Sequence, residues 1–473
     1  MRIDLLIRNG HVVDPANKLN AITDVAIAGG KVVKVADSID LAGADEVIDA
    51  TGLLVTPGII DSHVHVVPEG AGGISFNMLL KKGVTTTLDM SGPVDMFMDE
   101  MTANGHGINA GSLQALAPGG YIKGVDADGA EIADAIDRAL ENGAFGIKIL
   151  GGHYPFTPAT TGRIIDEASK RGVYIAFHAG TTETGSNIEG AEEAVKLAAG
   201  RPLHLAHANA YLRGQIEDPL SETKRLLDCL AANPNIVSEA YLSVLNGTTA
   251  FIDPATKKAK SGVTRTWLEK KGYGTDRSGI SKAIKDGWCL INGRVGNEIV
   301  LLSPKDGHAL WEQHDTDVHC SFPVNNPVAM LACATHRRPD GSFTVNAIST
   351  DGGFIPRNVM IENGIRFAQM LYLPMDDMVA KCTIAPARML GLLDKGHLGV
   401  GADGDVSVFY PLSGEAKFTI VGGRVCMASG VCVSGPGTAV FTSKQGEKTV
   451  KKTGLGCIVP DIKKSDFAKG HGK

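Results

Sequence analysis

Between residues 59 and 350 the chain alternates eight short apolar runs with helical stretches, and this alternation constrains the fold more than any other feature. The runs lie at 59–65, 84–90, 112–117, 145–150, 173–178, 203–207, 236–241 and 344–350, and helical stretches at 131–141, 160–171, 189–199 and 219–232 fall between them. Parallel strands need a crossover, usually a helix, and eight such units close into a barrel. The predicted fold is therefore α/β, a (β/α)8 TIM-like barrel. One connection breaks the rhythm, because roughly a hundred residues separate the seventh run from the eighth, including a Lys-rich segment at 253–277. A connection that long reads as a lid or binding insertion, placed at about 246–335.

The two ends follow a different pattern. Residues 1–56 read as short strands punctuated by Asn9-Gly10, Gly29-Gly30 and Thr51-Gly52, and 396–441 answer in the same style with a hairpin at Gly422-Gly423. Each half needs a partner for its apolar face, so the two are expected to form one composite β-sandwich, with the barrel occupying 57–395 between them. Residues 442–473 form a Lys-rich tail, read as solvated or as a docking arm on a neighbouring subunit.

Charge and cysteine usage narrow the function classes. Lys and Arg number 46 against 52 Asp and Glu, a net charge of −6, which lacks the basic surplus of a nucleic-acid binder. No run approaches the ~18 apolar residues of a membrane span, and Asp4 and Arg8 interrupt the apolar N-terminus where a signal peptide would need an unbroken core. The eight cysteines contain no CxxC pair and read as reduced thiols. A cytoplasmic protein with neither nucleic-acid nor membrane partners is expected. There is no phosphate-cradling glycine loop followed by Lys-Ser/Thr, and no GxGxxG after a strand.

The chemistry gathers at strand ends, where barrel enzymes place their catalytic groups. The first run ends Asp61-Ser62-His63-Val64-His65; residues i and i+2 of a strand share a face, so His63 and His65 can grip one ion. The fourth run carries Lys148 among apolar residues, where an unpaired ammonium is costly, so this lysine needs a partner or a chemical change. The fifth ends at His178, the sixth at His207, and the eighth runs into Asp351-Gly352-Gly353. His204, three before His207, is expected to face away from the ligands. Tyr154 and its neighbour His153, Asn209, Arg213 and Asn325 are candidates to face a substrate, with Arg213 able to hold a carboxylate bidentately. Asp89 and Glu239 are expected to form salt bridges inside the barrel mouth. His319 and Cys320 are expected to be neither metal ligand nor nucleophile.

Two stretches, LLIRNGHVVDP…GKVVKV…VIDATGLLVTPGIIDSHVH and IAPARMLGLLDKGHLGVGADGDVSVF, resemble the amidohydrolase superfamily, and the resemblance covers about residues 1–440. Within it the chain is most similar to the cyclic amidohydrolases (dihydroorotase, hydantoinase, allantoinase) and to D-aminoacylase-like deacylases. The resemblance implies two divalent metal ions, usually zinc. His63, His65 and Asp351 would hold the first, His178 and His207 the second, and an N6-carboxylated Lys148 would bridge both. It also implies hydrolysis of a non-peptide amide C–N bond in a cyclic amide or imide or an N-acyl amino acid. A metal-bridging hydroxide would attack, and Asp351 would carry its proton to the leaving nitrogen. A homo-oligomer, dimer or tetramer, goes with that family. The alternatives are a nucleobase-type deaminase, against which Lys148 counts, a formyl-transferring subunit of a larger complex, and a non-catalytic dihydropyrimidinase-like scaffold, against which the full ligand set counts.

Overall fold

The computed structural model describes residues 2–67 and 71–470; Met1, residues 68–70 of the barrel segment and residues 471–473 of the tail lie outside the described residues. Eight strands run parallel in chain order: Ile59–His65, Val84–Asp89, Asn109–Leu116, Gly146–Leu150, Tyr174–His178, Leu203–Leu205, Ile236–Tyr241 and Ala347–Ser349. They are the eight predicted runs. The ring closes through a short ninth piece, Gly352–Gly353, which pairs with the first strand in the register Gly352↔Val64 and Gly353↔His65. The strands are almost wholly buried, as expected for a sheet covered by helices on its outer face. Helices Gly129–Glu141, Pro158–Arg171, Ile188–Ala198 and Pro219–Ala232 match the expected stretches. Each starts at a side chain, Asp128, Thr157, Asn187 or Asp218, that accepts from a backbone N–H two or three residues on.

The two chain ends share one nine-stranded sheet. The N-terminal Leu54–Pro57 pairs antiparallel with the C-terminal Val406–Phe409, and from that seam the N-terminal strands extend one way and the C-terminal strands the other. An ionic brace reinforces it. Lys395 is buried with its Nζ 2.8 Å from Asp403 and 2.7 Å from Asp405, and Asp403 also takes Lys31 at 2.7 Å. Asn9-Gly10, expected to turn between two strands, is instead a bulge inside one strand, Ile3–Asp14. The first part of that strand pairs with Ala44–Asp49 and the second with Leu54–Pro57, and the bulge accommodates both partners. A Cβ at Gly10 would lie 2.4 Å from Val55 Cγ2, so this close approach requires glycine.

The insertion folds as a small unit of its own. Strands Leu245–Thr249, His319–Pro323, Leu290–Val295 and Glu298–Leu301 form a four-stranded sheet. Helices Gly262–Lys270, Arg277–Lys285 and Pro304–Gln313 accompany it around a separate core that includes Trp267, Trp311 and Phe322. Helix Pro327–Thr335, within the expected insertion, packs on Pro219–Ala232 in the outer ring of the barrel.

The Lys-rich tail departs most from expectation, because it is folded onto its own barrel. Just before the tail, Ala439–Phe441, expected to belong to the terminal sheet, instead runs parallel to the start of the third barrel strand, Ala439 opposite Asn109 and Val440 opposite Ala110, and the tail strand Gly456–Ile458 pairs outside it. Val440 and Phe441, and Val450 and Phe467 of the tail itself, enter the core while the described tail lysines remain exposed. Val450 and Phe467 are isolated among many lysines, which hid them from a compositional reading. Among the described residues no helix is long and apolar enough to cross a membrane.

Lys381, in helix Met375–Cys382, is wholly buried, donates to the Val345 carbonyl at 2.6 Å and lies 4.1 Å from the Phe343 ring centre. Burial lowers its ammonium from 10.5 to about 7, against the pull of Asp377 and with the push of Arg337. Between pH 7 and 10.5 the unfolded chain therefore binds more protons than the folded one, so stability rises with pH across that window, by an amount on the order of 3–5 kcal/mol. Lys381→Met is expected to lack this rise. Thermal unfolding midpoints at pH 7, 8.5 and 10 measure it, and an unchanged slope in the variant contradicts the assignment.

Candidate metal centre

The strand ends bring five of the six expected ligands into one chain of four contacts. His63 and His65 project from the first strand so that Nε2 of each faces Asp351 Oδ1, at 3.3 and 3.0 Å. His178 Nδ1 and His207 Nε2 approach to 3.1 Å. The His63 and His207 rings stack with centroids 5.2 Å apart, joining the two halves. One ligand atom from each of His63, His207 and Asp351 falls within a 4.8 Å span, and all three residues are buried. His207 and Asp351 reach the centre because each breaks away from its strand in the left-handed region, at φ 37° and 49°. Such conformations are costly for residues with a Cβ and persist where surrounding contacts hold them.

The donor set fits a divalent cation. Burial lowers His63 to about 4 and puts His178 and His207 well below the usual histidine range, so the three rings are neutral near pH 7 and each has a lone pair to offer. His178 Nε2 lies 2.9 Å from Ser186 Oγ, and His65 Nδ1 lies 3.0 Å from Ser91 Oγ, contacts that favour donation from those nitrogens and leave the opposite ones free for an ion. His207 Nδ1 is buried without a hydrogen-bond partner among the described residues. Two neutral ring nitrogens face each other between His178 and His207, an arrangement that a cation would satisfy.

Lys148, the sixth expected ligand, is buried one strand further round, with Nζ 3.1 Å from the Met90 sulfur. Burial lowers its ammonium to about 8, although Glu239, Asp351 and Asp89 pull the other way. No carboxylate lies within ion-pair distance of it among the described residues.

Of the groups that support the ligands, Arg357 and Asp61 were given no role by the sequence reading, and Glu239 was given a different one. Burial works to raise Asp351, but the Arg357 guanidinium, 2.6 Å from Oδ2, and the adjacent histidines hold its carboxyl well below the ordinary range. Arg357 also donates to the Asp351 and Leu245 carbonyls, linking the eighth-strand end to the insertion. Glu239, expected to form a salt bridge in the mouth, sits directly behind His63 with Oε1 2.7 Å from His63 Nδ1. Asp61 accepts from Thr350 N and Oγ1 and, at 3.3 Å, from His63 N, and burial raises its carboxyl to about 7. Glu239, near the end of the run Ile236–Tyr241, was visible in sequence, but its partner His63 on another strand was not. No motif pointed to Arg357, whose partners are Asp351, six residues back, and the Leu245 carbonyl, more than a hundred residues away.

The proposed substrate residues separate into distinct settings. Arg213 and Asn325 meet: Arg213 Nε donates to Asn325 Oδ1 at 2.8 Å, and Nη2 lies 2.9 Å from the Tyr241 hydroxyl and 3.0 Å from Asn246 Oδ1. Asn209 is buried, with its side chain bonded to the backbone of the seventh strand. Its amide donates to the Tyr241 carbonyl and accepts from the Tyr241 N–H, so it is part of the barrel wall. Tyr154 is 56% exposed at the rim beside His153, whose ring contacts His178. His204 is buried behind the ligands against Tyr174. His319 packs on Phe354, and Cys320 is buried in the insertion, where burial and the neighbouring Cys289 push its thiol well above the usual range.

An (α/β) barrel with its polar groups at the C-terminal strand ends and a sheet built from both chain termini defines a class of barrel enzymes. The model of the amidohydrolase family matches residues 54–432, and the chain belongs to that family. A dihydroorotase from Streptococcus thermophilus is 59% identical over 61 residues, 13% of this chain and 14% of the relative, so the chain matches the curated relatives over a small part of their length. An N-acyl-D-glutamate deacylase from Bordetella bronchiseptica, solved with zinc and a phosphonate inhibitor, superposes at a TM-score of 0.66 and 15% identity over 92% of this chain and 99% of that one. The formyltransferase/hydrolase complex of Methylorubrum extorquens, solved with methylofuran, gives 0.60 and 18% over 98% of this chain and 96% of that one.

The setting of Asn209 makes a specific prediction. Asn209→Ala removes two hydrogen bonds to the Tyr241 backbone and should destabilise the fold by about 2–3 kcal/mol. KM for a hydrolysed substrate should stay within about twofold, since no substrate contact is lost. A raised KM with unchanged stability contradicts the structural role.

Proposed function

We propose that this chain is a metal-dependent hydrolase that cleaves the amide C–N bond of a small carboxylate-bearing substrate, either a cyclic amide or imide or an N-acyl amino acid. The convergence of His63, His207 and Asp351 at the barrel mouth carries this reading, with His65 and His178 in contact with them. His63, His65 and Asp351 would hold one zinc ion, His178 and His207 a second, and Lys148 would bridge them after carboxylation. Bound there, divalent ions supply Lewis acidity, which polarises an amide carbonyl and acidifies water. Carboxylation joins the unprotonated Lys148 amine to CO2 and releases a proton, leaving a carbamate anion. Burial favours the exchange, because it penalises an isolated ammonium but not an anion lying between cations.

Asp351, kept ionised by Arg357, accepts the proton of the attacking water and returns it to the departing nitrogen. An amide nitrogen leaves poorly without that proton. Arg213 serves as the carboxylate anchor. Its hydrogen bonds go to the neutral oxygens of Tyr241, Asn246 and Asn325, so its charge is available to an anion while its orientation is fixed.

Two expectations follow. Protein produced with zinc and bicarbonate should hold about two divalent ions per chain, and Lys148→Ala should lose most of the metal and the activity; elemental analysis showing fewer than one ion per chain in the wild type overturns the reading. A hydrolysis screen over hydantoins, dihydropyrimidines, lactams and N-acyl D- and L-amino acids should find a carboxylate-bearing substrate. For that substrate Arg213→Met should raise KM by at least about tenfold with a smaller change in kcat. An equal loss on the matching carboxamide contradicts the anchor.

A further inference from the structure

We propose that Glu239 is the positioning residue of the metal centre, fixing both His63 and the turn that carries His207 from behind, and that Tyr174 and His204 in turn fix Glu239. This inference rests on the metal-binding reading above.

The geometry is unusually concentrated on one carboxylate. Glu239 is fully buried on the seventh strand. Oε1 lies 2.7 Å from His63 Nδ1 and accepts the His207 backbone N–H at 2.7 Å, and Oε2 accepts the Ser349 hydroxyl at 2.6 Å. His204 Nε2 lies 3.4 Å from Oε1. One side chain thus ties the seventh strand to the first, sixth and eighth, the strands that supply His63, His207 and Asp351.

The contact with His63 does more than join strands. A neutral imidazole has one N–H and one lone pair. With Nδ1–H donated to Glu239, the lone pair sits on Nε2, the nitrogen that faces Asp351 Oδ1. The carboxylate therefore selects the tautomer that can bind an ion, stops the ring turning over, and raises its basicity as a ligand. Through the His207 N–H it also secures the left-handed turn that brings that ring inward.

A buried chain extends behind Glu239 toward the closed end of the barrel. The Tyr174 hydroxyl lies 2.9 Å from His204 Nδ1, so donation there leaves the ring proton on Nε2, which lies 3.4 Å from Glu239 Oε1 in an electrostatic contact rather than a hydrogen bond. The Tyr174 ring is in turn covered by Phe467, stacked 4.3 Å away, from the C-terminal segment. Tyr174, His204 and Glu239 contribute no proposed ion ligand, yet together they lead from the tail to His63.

Metal affinity separates this role from a merely structural one. Glu239→Gln can keep the hydrogen bonds, with Oε1 accepting from His63 and His207 and the amide N–H donating to Ser349, but it removes the charge. Apo protein is titrated with Zn2+ against a chromophoric chelator, and with Co2+ while its visible absorption is recorded. The Gln variant should keep the wild-type circular dichroism, bind Zn2+ about 10–100-fold more weakly, and show an altered Co2+ spectrum. Tyr174→Phe, two contacts from the ligand, should weaken Zn2+ binding by a smaller factor, and it carries the test if the Gln variant does not fold. Wild-type protein that binds tightly, with both folded variants matching it in affinity and spectrum, overturns the positioning role. Wild-type protein that binds neither ion overturns the metal reading, and the positioning role with it.

Discussion

The barrel closes by breaking its last strand. Ala347–Ser349 pairs with the seventh strand, Gly352–Gly353 pairs with the first, and Asp351 occupies the break between them in a left-handed conformation. At this break the Asp351 carboxylate meets His63 and His65, with Oδ1 3.3 and 3.0 Å from their Nε2 atoms. The break depends on glycine: a Cβ at Gly353 would lie 2.1 Å from the His65 carbonyl oxygen. The Asp351 N–H donates to the His63 carbonyl, and the Phe354 N–H to that of His65. The peptide units that complete the barrel therefore set the distance between the histidine pair and its carboxylate.

Around that closure the mouth holds more buried charge than its hydrophobic walls would tolerate unpaired. Asp61, Asp89, Glu239 and Asp351 are all buried, yet each accepts from backbone or side-chain donors. Taking a charge out of water is expensive, and only such hydrogen bonding or an opposite charge makes it tolerable. Asp351 and Glu239 stay ionised because cationic or histidine partners face them, whereas Asp61 is raised because desolvation outweighs its hydrogen bonds. The site thus contains carboxyls of very different acidity within a few strands of one another.

How much of this was legible in sequence depended on whether the signal was local. The eight runs and four amphipathic stretches were visible because strand and helix periodicities repeat within a dozen residues. His63 and His65 were visible because a spacing of two on a strand is itself geometric information. Arg357 was not, since its partners are a carbonyl six residues back and another more than a hundred residues away. Asn209 misled for a related reason: a polar residue after a metal-site histidine looks free in sequence, and only the neighbouring strand shows that its amide is taken. Asn9-Gly10 has turn chemistry, but two different partner strands made it a bulge. In the tail, lysine content outweighed the few apolar residues that decide where the segment goes.

The strand Ala439–Phe441 has a consequence for synthesis. It lies against the third barrel strand, and the seam of the terminal sheet joins Leu54–Pro57 to Val406–Phe409. Ribosomes release the N-terminal end first, so Leu54–Pro57 emerges with its C-terminal partner strand still more than three hundred residues from translation. The third strand waits as long for the segment that seals its lower half. Vectorial folding can assemble the βα units one after another, but the outer sheet and the barrel floor can mature only once residues 406–441 have left the tunnel. Until then unpaired strand edges at both places are open to chaperones, or to premature pairing with another nascent chain.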